Sequence, residues 1–462
     1  MATAAALVTL SAFVAWQVRV GADALWPVAM GRAVLDGGRL PQGVPFAAAG
    51  SAGWANVPVL GELVLTAVAA FGGRGLGAFQ VLADVVALGA LAAVALRRGA
   101  ADSRAALALV LAVLAGAPAL VIIRLQVLSL IPFALLLLLL HREHEAPSRR
   151  IWLLPALVVI WTNLHGAVLI GVAVAGCYLL LSRLRIDPVR TVAVGVLTLA
   201  AVLVTPAGTG TLGYYLGVLD NEAAARGEGL WAHPSLGSGL DVVMLLGLAG
   251  LLLLTLRRRQ PLWVYAAALG LGVATASAVR NGVWLGMVLV LPATLAEGRA
   301  ERTTHARREA RAQRRPHPSR PPRAGRRIGR LAGLTGLGGI VTIVTVAVLL
   351  ARPDAVDPTP PGLVPTVRSV AAGRPVLAPE PVVERLAAEG VRVWMSNPID
   401  AFSRTDQGIY LDFLDGRPGG QVALDAVDVV VVESGTDPDR LVRADRRWHA
   451  AASVGDWTAY TR

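Results

Sequence analysis

The sequence predicts an α-helical polytopic membrane protein with about 11 transmembrane helices and a small C-terminal α/β domain. Three observations predict it. Of 462 residues, 55% are hydrophobic and only 16% charged, well below the roughly one quarter charged that soluble domains carry. Apolar runs of about 16 to 23 residues recur, each close to the length that crosses about 30 Å of hydrocarbon as a helix. From 352 onward the chain turns Pro-rich and then alternates like a soluble domain. A single water-soluble enzyme is thereby excluded. The lone Cys177 lies in an apolar run, which excludes an intrachain disulfide and metal sites built from several thiolates.

Apolar periods bounded by Arg, Pro and Gly place spans near 2–18, 75–96, 104–122, 125–141, 151–164, 166–182, 189–205, 240–256, 261–279, 281–297 and 331–351. The run 57–71 holds Glu62 and is short for a crossing, so it reads as an interfacial helix on the outer surface. All 43 basic residues are Arg. The two alternating sets of loops hold 24 and 7 of them. The positive-inside rule therefore puts the N-terminus in the cytoplasm and the C-terminal domain outside, in a bacterial plasma membrane. Arg19, just after the first span, is the one dissenting charge. That span lacks a basic n-region and a small-residue cleavage site, and reads as a retained anchor.

The expected organisation is a transmembrane region 1–298 with a first outer loop 19–74, a cytoplasmic loop 299–330, a last span 331–351 and an extracytoplasmic α/β domain 352–462. The loop 299–330 carries twelve Arg against two Glu among Pro residues. It reads as a disordered segment held near anionic lipid headgroups, and no nucleic acid is expected as partner. In the last domain a helix is expected near 379–389, strands near 391–395 and 427–432, a helix near 437–446 and a hairpin 448–460. Trp16, Trp26, Trp54, Trp152, Trp161, Trp231, Trp263 and Trp284 belong to the membrane region and read as interfacial anchors.

Asp23, Asp36, Asn56, Glu62, Arg124, Gln126, Asn163, His165, Asp220, Glu222, Glu228, His233, Arg280 and Asn281 all fall at outer ends of spans or in outer loops. Outer loops are polar because they are wet. The same set also suits a phosphorylated, hydroxyl-rich ligand, since Arg offers forked donors for phosphate and a carboxylate takes a proton from a hydroxyl.

Four stretches sharpen this: GADALWPVAMGRAVLDGGRLPQGVPF and GWANVPVLGELVL in the first outer loop, IRLQVLSLIPF with Arg124 and Gln126, and the turn WTNLHG with Asn163 and His165. They resemble the membrane-embedded glycosyltransferases of the GT-C superfamily, which includes protein mannosyltransferases and aminoarabinose transferases. They also look like bacterial membrane proteins with the same Asp–Trp first loop, RxQ and WxNxHG elements and C-terminal extracytoplasmic domain. The resemblance implies a sugar on a polyprenyl phosphate, attacked outside the membrane by a hydroxyl of a glycan, lipid or protein acceptor, with membrane lipids around the chain. It implies Asp23 as the catalytic base or metal-linked organiser, with Arg124 or Arg280 steadying the leaving phosphate, and single displacement with inversion. Gln126, Asn163, His165, Glu62, Glu228 and His233 are the further expected substrate contacts. Ala24 stands where many members carry a second acid, so a divalent metal stays open as cofactor, and Asp220, Glu222 or Glu228 is the expected source of that acid. Asp23 is also well placed to N-cap the helix that follows it.

Other signals are set aside. Gly208, Gly210 and Gly213 satisfy GxGxxG without any βαβ unit around them. His141 and His144 in HREHE read as solvated. Asp84, near the middle of a span, is expected to face the bundle interior or a wet cavity, protonated, paired with an Arg or on a headgroup route. The stretch 397–417, with Asp400, Asp406, Asp412 and Asp415, reads as a surface loop. The leading function is an extracytoplasmic glycosyltransferase. The alternatives are a transporter or flippase of a lipid-linked or anionic solute, for which Asp84 speaks, and a non-catalytic glycolipid-binding scaffold. No matched halves of broken helices favour the transporter.

Overall fold

The computed structural model describes residues 1–294, 324–352 and 356–462. Of the expected Arg/Pro-rich loop, 299–323 lies outside the described residues, and 324–330 already belongs to the helix Ala324–Leu350.

The chain is mostly helical. In order come α1 (Ala2–Gln17), α2 (Ala22–Gly37), α3 (Val59–Ala69), α4 (Gly72–Arg97), α5 (Asp102–Leu120), α6 (Leu130–Glu145), α7 (Leu153–Thr162), α8 (Val168–Tyr178), α9 (Pro188–Ala201), α10 (Gly210–Leu219), α11 (Glu222–Arg226), α12 (Gly239–Leu256), α13 (Leu262–Ser277), α14 (Gly282–Thr294) and α15 (Ala324–Leu350). Among the described residues α4, α5, the segment Leu125–Glu145 and α12 are long and apolar enough to cross a membrane, and shorter apolar helices pack beside them. Local chemistry sets several starts. Asp187 caps α9 by accepting the Arg190 N–H, with Pro188 at the first helical position, where its missing N–H costs nothing. Ser238 caps α12 the same way. Small residues let α5, α12 and α14 approach closely: a Cβ on Gly247 would meet the α5 backbone at Ala115, 2.5 Å away, the kind of contact that holds helices together in lipid.

Alternating helix directions give the bundle two ends. At the one called upper here, β1 (Arg19–Val20) pairs in parallel with β2 (Ile122–Ile123), joining the end of α1 to the end of α5. At the lower end the α-amino group of Met1 meets Asp102 at 2.7 Å, Arg98 meets Glu145 at 3.2 Å and Arg183 meets Glu143 at 2.8 Å. The last pair is enclosed, and Ser148 completes it by donating its N–H to Glu143 and accepting from Arg183.

Residues 356–462 fold over the upper end. A mixed sheet runs in the order β3 (Val376–Leu377), β4 (Val429–Glu433), β6 (Trp457–Thr461), β5 (His449–Val454), parallel at β3–β4 and antiparallel elsewhere. Val429 to Val432 are fully buried, as expected of a strand covered on both faces. The expected strand 391–395 is reduced to bridges at Val393, which pairs with Val376 on one side and Ala47 on the other. The first loop thus extends the sheet: Val393 N–H donates to Phe46 O at 3.0 Å, and Ala48 N–H to Val393 O at 2.8 Å. Two short segments from opposite ends of the sequence each lack enough length for a strand and complete one another's ladder.

Several expectations change. Trp161, Trp263 and Trp284 are enclosed in the bundle, whereas Trp16 and Trp152 are exposed as anchors would be. His141 is buried with its ring edge-on to Trp263 at 5.0 Å, so only His144 is solvated. Asp84 does face the interior, and its partner is Gln80 at 2.9 Å rather than an Arg. The cavity beside it is about 10 Å³, room for about one water. The stretch 397–417 contains the helix Arg404–Leu414 and is docked, not free: Arg404 bridges Asp220 (2.6 Å) and Glu222 (2.8 Å), and Arg226 meets Asp412 at 2.7 Å.

Candidate functional site

Asp23 sits in the first turn of α2, but Gly21 is the N-cap and no side chain caps that helix. The capping role expected for Asp23 is therefore not the one it plays. Its Oδ2 instead accepts from Arg124 Nε at 2.6 Å and also from Nη2. Arg124 follows β2, so the β1–β2 pairing that closes the upper end also sets this contact between residues 101 apart. Burial pushes the Asp23 carboxyl up, but Arg124, with a smaller contribution from Arg280, outweighs it and holds Asp23 below its ordinary range. Arg124 Nη1 is enclosed and has no hydrogen-bond partner.

Arg280 lies in the short turn before α14, its guanidinium 3.2 Å from the centroid of the Trp231 ring. A stacked Arg keeps its planar fork oriented at little entropic cost. Gln126 Nε2 reaches the Arg280 carbonyl at 3.5 Å. His165 closes the α7–α8 turn. Its Nδ1 accepts from Ala167 N–H (3.1 Å) and contacts Ser129 Oγ (3.0 Å), which itself accepts from Trp161 Nε1 (2.7 Å). Burial, then Arg124 and Arg280, push His165 down to about 3. It is a neutral imidazole with its proton on Nε2.

The remaining expected contacts separate. Asn163 gives its amide to the carbonyls of Val159 (2.8 Å) and Val204 (2.7 Å), fastening α7 to the end of α9. Its own carbonyl accepts from Gly61 N–H at 3.0 Å. Gly61 presses so closely on the Leu164 carbonyl that a Cβ would collide there. His233 is exposed and contacts Ala276 O through Nδ1 at 2.9 Å. Glu228 opens the short turn Gly229–Trp231 that carries the ring under Arg280. Asp220 and Glu222 are held by Arg404, so neither stands as a second acid beside Asp23.

Glu62 is fully buried in α3, whose 11 residues rise about 16 Å at 1.5 Å each, too little to span. It accepts from Asn56 Nδ2 at 2.8 Å, and its second oxygen has no partner. Burial, only partly offset by Asn56, raises its pKa to about 8. A carboxyl raised on folding destabilises the fold once it ionises. The loss sets in above the unfolded value of 4.5, grows until about pH 8, and reaches on the order of 4 to 5 kcal/mol. Thermal unfolding of the detergent-solubilised protein is expected to fall between pH 6 and pH 9, and the Glu62→Gln variant to lose most of that fall. An unchanged pH response in the variant would place the titration elsewhere.

The C-terminal residues bring further acids to this end. The helix Val382–Ala388 packs on α2, and Arg32 of α2 donates to the Ala388 carbonyl. Glu384 is fully buried, and Asn397 Nδ2 bridges it (3.2 Å) to Glu380 (2.6 Å). Burial raises Glu384 to about 7, with the charge of Asp23 adding to it, and desolvation followed by the charges of Glu384 and Asp23 raises Glu380. Asp400 accepts from Trp54 Nε1 at 2.9 Å, and burial raises it to about 6. Trp54 in turn packs edge-on against Trp26 (6.3 Å) and Tyr214 (6.2 Å). Glu380, Glu384 and Tyr214 carry no motif that sets them apart from ordinary surface residues, while Trp54, in GWANVPVLGELVL, reads from sequence as an interfacial anchor. Asp400 was visible only as one of four acids in a row. Among the described residues no group of three or more His, Cys, Asp or Glu is arranged to hold a metal ion.

No family model and no curated protein matches the chain. Among solved structures it is similar to ArnT from Cupriavidus metallidurans bound to undecaprenyl phosphate, at 16% identity and a TM-score of 0.48, over 99% of this chain and 97% of that one.

Proposed function

We propose that the protein moves a sugar from a polyprenyl-phosphate donor to an acceptor hydroxyl at the extracytoplasmic face of a bacterial plasma membrane. In this reading the chain crosses about eleven times, the upper end lies outside, and the Arg-rich links of the lower end face the cytoplasm. Residues 352–462 are then an extracytoplasmic domain that covers the reaction centre.

The observation that carries the reading is the Asp23–Arg124 pair. One guanidinium holds the carboxylate while its remaining nitrogen is enclosed and unpartnered, and a second, ring-stacked guanidinium stands close enough to lower the same carboxyl. Two guanidinium groups suit the phosphodiester of the donor. The acceptor oxygen attacks the anomeric carbon, the bond from that carbon to the phosphate oxygen breaks, and polyprenyl phosphate leaves with the bonding electron pair. The acceptor proton passes to Asp23. Arg124 and Arg280 keep Asp23 weakly basic at rest; as charge builds on the leaving phosphate they turn to it, and Asp23 gains proton affinity when it needs it. Neutral His165 donates through Nε2 without adding charge. Gln126 and Asn163 act as positioning residues, Glu62 as a neutral acid behind Asn56, and Glu228 and His233 as contacts at the rim.

Replacing Arg124 by Ala is expected to raise the donor KM about 10- to 100-fold, the worth of a charged hydrogen bond, with little change for the acceptor. The measurement is sugar transfer in membranes charged with labelled lipid-linked donor, titrated separately in each substrate. Equal losses for both would reduce Arg124 to a structural tie. Lipid binding without transfer in the unaltered protein would leave the scaffold reading instead.

A further inference from the structure

At the lower end, α8 gives up its regular pitch. After Tyr178 it continues as a π-helical turn, Leu179–Arg183. Such turns cost hydrogen-bond geometry and occur mostly where a site needs them. Here the wide turn lets two neighbouring requirements coexist. Arg183 points inward to its enclosed partner Glu143, while Leu181 and Ser182 line a cavity of about 340 Å³ between the ends of α6 and α8 and the start of α13.

The cavity has two kinds of wall. Tyr178, Ser182, Arg185 and His144 form the polar one; Leu181 and Leu262, 37% and 62% exposed, form an apolar lip. No carboxylate lines it, and the acids next in sequence to its lining residues are engaged: Glu143 by Arg183, Glu145 by Arg98, Asp187 by Arg190. Arg185 is exposed and makes no ion pair among the described residues. The Tyr178 ring is fully buried against Trp263 (5.7 Å), with its hydroxyl enclosed beside the Arg183 guanidinium.

We propose that this cavity binds the phosphate headgroup of an anionic diacyl phospholipid, with Arg185 as its cation, Ser182 and His144 as hydrogen-bonding groups, and the acyl chains leaving over Leu181 and Leu262. The volume suits a glycerophosphate headgroup and leaves no room for the tails, which the exposed apolar lip would carry into the surrounding bilayer. Positive charge without a compensating carboxylate selects anionic over zwitterionic lipid. The site is remote from Asp23 and stands whether or not the protein transfers sugar.

The test is native mass spectrometry of the full-length protein from detergent, with phosphatidylglycerol and phosphatidylcholine offered in turn. One phosphatidylglycerol is expected to stay bound in preference to phosphatidylcholine. Arg185→Gln should lower that retention about fivefold, the equivalent of roughly 1 kcal/mol per cation. Leu262→Trp, which fills the cavity mouth, should lower it as well with the thermal midpoint unchanged. Glycerol phosphate should not displace the lipid. Equal retention of phosphatidylcholine, full retention in both variants, or displacement by glycerol phosphate would each overturn the proposal, the last by making this a site for a soluble anion.

Discussion

Asp23→Asn is expected to slow sugar transfer by about 100- to 10,000-fold, the range that a positioned general base supplies. The substitution suits the geometry because the asparagine oxygen can still accept from Arg124 Nε, the 2.6 Å contact that ties α2 to the end of α5. Expression and thermal stability should therefore change little, and donor affinity should hold or improve, since Arg124 is no longer drawn to a carboxylate. What is lost is the acceptor for the hydroxyl proton. Single-turnover transfer in membranes supplied with lipid-linked sugar is the measurement. A rate within twofold of the parent would remove Asp23 from the reaction and leave it as the anchor of Arg124. A rate lost together with the fold would be seen as a lowered thermal midpoint and would not bear on chemistry.

The second large effect is on stability. Glu143→Leu leaves Arg183 charged and enclosed, with the Ser148 carbonyl (2.9 Å) and the neutral Tyr178 hydroxyl beside its guanidinium but no opposite charge. A buried pair broken from one side costs about 3 to 5 kcal/mol. The double variant Glu143→Leu/Arg183→Met removes both charges and should recover most of that loss, because the enclosed pair itself must offset a large desolvation cost. Thermal unfolding in detergent distinguishes the outcomes. A double variant as unstable as the single one would show that the volume and the bonds to Ser148, rather than the unpaired charge, hold this end together. The same comparison tests how much of the lower end depends on the π-helical turn that brings Arg183 inward.

The sequence determined where the apolar helices lie, since each apolar run must satisfy its own backbone polar groups within the segment, but not the helices Gly210–Leu219 and Arg404–Leu414 in stretches read as loops. The expected span 240–256 is the helix Gly239–Leu256, and 261–279 is Leu262–Ser277. The expectation that the polar residues lie toward one end came from Arg placement and alternation of direction, which are one-dimensional facts. Local reading failed where contacts join distant segments. Asp23 looked like a helix cap because a first-turn acid usually serves the nearest free N–H groups, and only the parallel pairing of β1 with β2 brings Arg124 within reach. Val393 looked like the middle of a strand, whereas its ladder is completed by Ala47, 346 positions earlier.

The composition of the site was decided by tertiary structure more than by motif. Trp161 and Trp263 read as interfacial anchors, since an aromatic near a span end fits the headgroup layer; packing put them in the core, where Trp161 holds Ser129 and, through it, His165. The second acid was sought in the loop before α12, but Arg404 claims Asp220 and Glu222. Glu384 reaches the neighbourhood of Asp23 because the helix that carries it packs on α2. The amino-acid order thus settles which segments are apolar and where charge is tolerated, since hydrocarbon judges each run by itself. Which charges meet is a matter of long-range closure, where the partner of any acid depends on every element that folds between them.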